Sequence, residues 1–160
     1  MSPRQIDLLY VLLPHGSSKC LLYLGDRIHE LYISHVFGDP IGDFVEANIA
    51  LLKGAPAVEF IWWGEPGGYR WQITRNPEQH HKVKVTVTEF SSSYADPITQ
   101  ETTLAEFEIK ISYFSTIVYF QMKKTAALLR EKSFEKNRSG EFPYAAFRQL
   151  ESFFDVNKFF

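Results

Sequence analysis

Cysteine is almost missing from this sequence. Cys20 is the only one in 160 residues, so no disulfide can close within the chain. Cysteine usage of this kind leads us to expect a reducing, cytoplasmic setting. An excess of one charge is missing as well. Lysine and arginine number 17 and the acids 19, a formal net charge of −2. No basic stripe is available to neutralise phosphates, which argues against nucleic acid as a partner. Long apolar runs are also lacking. The stretch from Leu8 to Leu13 is bounded by Asp7 and Pro14 and has no small-residue cleavage site nearby. It is too short to span a bilayer and reads as a buried strand, so no membrane association is expected.

Familiar catalytic spacings are absent too. Ser91 to Ser93 lack the Gly-x-Ser-x-Gly surroundings of a nucleophile elbow. The segment Gly64-Glu65-Pro66-Gly67-Gly68 lacks the lysine and the following helix of a phosphate loop. His15, His29, His35, His80 and His81 show no metal-ligand spacing. Asp39, Asp43 and Glu46 share one helix face and could hold a hard cation, but negative charge in the first half of a helix is favoured by the macrodipole in any case. Cys20 lies in an apolar segment and reads as a small core residue. The expectation is a protein with no metal and no cofactor; whether it is an enzyme stays open at this point, the balance leaning to no.

Aromatic residues are abundant: 14 Phe, 8 Tyr and 3 Trp, within a hydrophobic fraction of 45%. Rings in this number fill cores and also mark interfaces. Length and composition predict a single globular domain over residues 1–160. Strands are predicted at 6–13, 19–24 and 27–34, the last two joined by a tight turn at Gly25-Asp26. The period then changes. Ile41, Phe44, Val45, Ile49 and Leu52 recur at helical spacing, with Asp39 placed to cap, Pro40 at the first helical position and Gly54 at the end. Strands return at 57–63, 69–75, 82–90 and 104–112. A helical stripe from Phe114 to Leu129 runs on to about 135, and a last helix starts after Pro143. The fold class is α+β: an antiparallel sheet in the order βββ-α-ββββ-αα with helices packed on one face.

The most distinctive text is "FIWWGEPGGYRWQI", residues 60 to 73. Alternation puts Phe60, Trp62, Tyr69 and Trp71 toward the helices and Trp63 with Arg70 on the opposite face. Pro66 and Gly67 suit the central positions of a type II turn. Two readings of Trp63 stand side by side. It can stack beneath the Arg70 guanidinium as a cross-strand pair that covers its own hairpin. It can also belong to a binding patch of Trp63, Glu65, Tyr69 and Arg70.

The text "FGDPIGDFVEANIALLKG" followed by "EPGGYRW" resembles a group of small uncharacterised bacterial proteins, in which an acidic-capped helix precedes a tryptophan-containing hairpin. The resemblance covers residues 30 to 75, with "GEFP" before the last helix as a lesser match. It implies a common fold and assigns no activity to any residue.

The functional expectation is a non-enzymatic protein-interaction domain, immunity- or antitoxin-like or an accessory binding protein. The alternative is a small-ligand binding protein or enzyme with a pocket between sheet and helices. Strands 6–13 and 19–24 are apolar on both faces, and helices on a single side cannot cover both. A protein partner or a homo-oligomer is therefore expected, unless the C-terminal segment ending in Phe159-Phe160 folds over the second face.

Overall fold

The computed structural model describes residues 5–138 and 142–154. The α+β order is the one the hydrophobic periods indicate. β1 (Ile6–Leu13), β2 (Ser17–Leu24) and β3 (Arg27–Ser34) come first, then α1 (Pro40–Leu52). β4 (Ala57–Trp63), β5 (Gly68–Arg75), β6 (Lys82–Phe90) and β7 (Thr102–Lys110) follow. The chain then forms α2 (Ile111–Leu128), a single turn α3 (Lys132–Glu135) and α4 (Tyr144–Glu151). The strands divide into two antiparallel meanders, β1-β2-β3 and β4-β5-β6-β7, with α1 as the link between them. The long stripe after β7 is cut at Leu129, which leaves α3 as a separate turn. The expectation about Phe159 and Phe160 lies outside the described residues.

One core joins the inner faces of both sheets to the helices. Helix α1 lies at its centre, with nine of its thirteen residues buried. The Asp39 carboxylate accepts from the Gly42 amide at 3.0 Å and caps its start, and Pro40 occupies the first turn. Its far end is held by a residue that no periodicity marks. Arg75, at the end of β5, donates to the carbonyls of Leu51 (2.5 Å), Ala55 (3.1 Å) and His80 (2.6 Å). A guanidinium there adds charged donors to carbonyls at and beyond the last turn of the helix.

The aromatic residues form the middle of this core. The Phe44 ring centroid is 5.0 Å from that of Trp62, and Trp62 is 4.9 Å from Trp71. Phe60 stacks on Trp71 at 5.7 Å. The Trp62 indole N–H donates to the Pro40 carbonyl at 3.1 Å, which ties β4 to the start of α1. Trp71 is equally buried, but its indole N–H has no partner among the described residues.

Strand β1 is an edge strand, and its free side is occupied by side chains. Tyr113 donates to the Ile6 carbonyl at 3.1 Å, and Lys124 donates to the Tyr10 carbonyl at 2.7 Å. Gln121 accepts from the Tyr10 amide at 3.2 Å, and Arg138 donates to the Leu12 carbonyl at 2.9 Å. Covering an edge in this way removes the template on which another strand could pair. Burial lowers the Lys124 pKa below its usual value.

Candidate functional site

The β4–β5 hairpin places its faces as alternation predicts. Trp62 and Trp71 have no exposed surface, while Trp63 is partly exposed on the other side. The register pairs Trp62 with Tyr69, Ile61 with Arg70, and Trp63 with Gly68. The reversal differs from the expected type II turn. The Glu65–Pro66 peptide is cis, a geometry that belongs to another turn class. Gly67 does take the positive φ expected of it, +85°.

The four candidate residues serve different places. Trp63 packs edge-on against Phe90 (5.4 Å) and Tyr94 (5.1 Å). Tyr94 in turn stacks on Phe37 at 4.6 Å. Arg70 does not sit on Trp63. Its guanidinium reaches Glu101 at 2.7 Å and also Glu59, so two carboxylates take the position expected for the indole. Glu65 is exposed and rims a shallow depression of about 210 Å³ with His15, Tyr32 and Val36. Tyr69 is half-buried, and burial raises its pKa.

A small notch opens beside Trp63. It holds about 60 Å³ and is lined by Phe37, Asp39, Asp43, Ile61 and Trp63, among others. Two aromatic walls and two carboxylates form a surface suited to a positively charged group. Asp39 spends one oxygen on the helix cap, and Asp43 has no cationic partner among the described residues. Partial burial, and then repulsion from Asp39, raise the Asp43 pKa above its ordinary 3.8. The fold therefore favours the protonated form. This contribution to stability is fully present below the unfolded pKa and is lost as pH rises through the folded one. Asp43→Asn is expected to melt above the wild type at about pH 7, with the gap closing toward about pH 3. Thermal melts at both values check this; a variant less stable at neutral pH would mean that the helix dipole outweighs burial and Asp39.

Larger depressions lie on sheet surfaces. One of about 560 Å³ is bordered by the β2–β3 turn and by Leu104, Ala105 and Glu106 of β7. Another, of about 510 Å³, lies on the wet face of the second sheet against Glu59, Gln72, Lys84 and Thr86. Cross-strand charge pairs such as Lys84–Glu106 (3.0 Å) stabilise that face.

Two further arrangements escaped sequence reasoning. Ser18 Oγ lies 2.5 Å from His35 Nε2, a serine–histidine pair between β2 and the segment after β3. Ser18 is fully buried, so its hydroxyl is closed to substrates and the pair joins elements. Buried Asn48 donates to the Phe44 carbonyl and accepts from Ser115, which links α1 to α2. Cys20 has no exposed surface and burial pushes its thiol pKa up, so it stays a core residue. Among the described residues, no group of three or more His, Cys, Asp or Glu side chains could hold a metal ion. No helix among them is long and apolar enough to cross a membrane.

The outer face of the first sheet is the other candidate. Alternation turns Leu9, Val11 and Leu13 of β1 and Leu21 and Tyr23 of β2 away from the core, all partly exposed. On β3, Ile28 and Tyr32 are 59% and 57% exposed. Lys19 and Glu30 form a 2.8 Å ion pair in the middle of this face, and the Lys19 ammonium lies 4.9 Å from the Tyr32 ring centroid. Compared with known proteins, the chain matches no family model, no curated protein and no solved structure.

Proposed function

We propose that the chain is a protein-interaction domain, of the immunity, antitoxin or accessory-subunit kind, that binds through the outer face of β1–β3. The observation that supports this reading is the apolar character of that face. Five partly exposed aliphatic or aromatic side chains adjoin Ile28 and Tyr32, both more than half exposed. Contiguous apolar surface of this kind marks interaction sites more often than solvated sheet. Tyrosine and leucine around a charge pair also give a patch with an apolar interior and a directional polar feature. The side chains that cover the β1 edge keep a partner from adding a strand there.

The test is affinity capture from the cell of origin with three baits: wild type, Tyr32→Lys and Asp43→Asn. The wild type and Asp43→Asn should retain the same protein, this chain included, and Tyr32→Lys should lose it. Retention by Tyr32→Lys as strong as by the wild type would remove the face from the interaction.

A further inference from the structure

We infer that the occupant of the β1–β3 outer face is a second copy of this chain, packed about a two-fold axis that runs across the strands. This rests on the interaction reading above and adds a partner and a geometry to it. The covered edge of β1 closes that strand to pairing, while the apolar outer face of the same sheet stays open to a face-to-face contact. Register then fixes how the face can meet itself. Leu9, Leu21 and Glu30 lie in one row across the three strands, and Val11, Lys19 and Tyr32 lie in the next.

Two orientations of a two-fold axis suit a sheet face. An axis along β2 would place each Lys19 over the partner's Lys19, like charge on like charge in a closing interface. An axis across the strands, between the two rows, exchanges the rows and keeps each strand over its counterpart. Leu21 then meets the aliphatic stem of the partner's Lys19, Leu9 meets the partner's Val11, and Glu30 meets the partner's Tyr32. Each ammonium comes beside the partner's Glu30 carboxylate. The face carries one central cation and one central anion, so it is complementary to itself under this operation, as an isologous contact requires.

Size sets the strength. Three strands about 4.8 Å apart and four rows about 6.8 Å apart give a footprint of roughly 400 Å² per copy. That is about half the roughly 800 Å² per partner of a standard interface, so the dimer should be weak and concentration-dependent.

Sedimentation equilibrium from low micromolar to millimolar concentration tests the proposal, using the whole chain. The wild type should pass from monomer to dimer across this range. Lys19→Glu and Glu30→Lys should each weaken self-association by about tenfold or more, because each sets like charges against one another across the contact. An equimolar mixture of the two variants should restore dimer, since every cross-contact pair is then of opposite charge. Circular dichroism melts establish that both variants fold, as a partly exposed Lys19 and an exposed Glu30 allow. A wild type that stays monomeric at millimolar concentration overturns the second copy. The interaction reading then survives only if the wild-type bait captures another protein that Tyr32→Lys loses. A dimer indifferent to both charge variants and to their mixture overturns the axis and with it this interface.

Discussion

Trp62→Ala is expected to be the most damaging truncation in the β4–β5 hairpin, at roughly 3–5 kcal/mol from lost burial and a cavity. A further ~1 kcal/mol follows from the hydrogen bond to the Pro40 carbonyl. Against a typical domain stability of roughly 5–15 kcal/mol, this approaches global unfolding. Trp62 is fully buried and touches Tyr10, Phe44, Phe60 and Trp71, so no neighbour can relax into the space without leaving its own ring contacts. Phenylalanine separates the two contributions. Trp62→Phe leaves the Pro40 carbonyl short of a donor, whereas Trp71→Phe removes an N–H that has no partner among the described residues. Trp71→Phe should therefore cost less than Trp62→Phe in spite of equal burial. Trp63→Ala, partly exposed on the opposite face, should cost the least of the three alanine variants. Urea unfolding of the set decides. If Trp63→Ala were the most destabilising, the tryptophan at the centre of the fold would not be Trp62.

The place of Trp63 as the least costly of the three is legible in the sequence, because β-strand alternation is local and binary. Once Phe60 and Trp62 share a face, Trp63 must take the other, and β6 and β7 repeat the pattern with Val83, Val85 and Val87 against Phe107 and Ile109. The start of α1 was legible for a similar reason, since Asp39, Pro40 and Gly42 carry out capping within one turn. What sequence could not reach depends on pairs far apart in the chain. Arg75 reads as an ordinary strand-end residue, yet it bonds the end of a helix 24 positions away. Lys124 and Gln121 read as the polar face of a helix, yet they complete the edge of a strand more than a hundred residues earlier. The Arg70–Trp63 stack failed because Glu101, in a polar loop next to β7, supplies a full charge where the indole face offers only a quadrupole. Alternation chose the correct face for Arg70, but a one-strand argument cannot choose among the neighbours that reach that face.

Gly67→Ala is expected to cost roughly 2–5 kcal/mol, the sum of a left-handed backbone penalty of about 1–2 and a displacement of packed neighbours of about 1–3. Gly67 holds φ at +85°, a conformation that L-residues with a Cβ rarely adopt, and an added Cβ would lie 2.5 Å from the Phe90 carbonyl oxygen. The obstacle is backbone, so it cannot swing aside as a flexible side chain would. Relief requires the end of β6 to move, and Phe90 is paired there with Gly68 and packed against Trp63. Gly68→Ala separates the two causes. Its φ is unexceptional, but its Cβ would lie 2.7 Å from the Trp62 carbonyl oxygen, so it should show the steric cost without the backbone one. Gly38→Ala serves as the control, because an added Cβ there meets nothing within 4 Å. It should fall within about 0.5 kcal/mol of the wild type. The order expected from denaturant unfolding is Gly67→Ala, then Gly68→Ala, then Gly38→Ala nearest the wild type. A Gly67→Ala protein as stable as the control would mean that the hairpin tip yields to a side chain, and that the paired glycines are not what holds Trp63 against Phe90. The notch lined by Trp63 would then have to be positioned by Phe37 and Tyr94 alone.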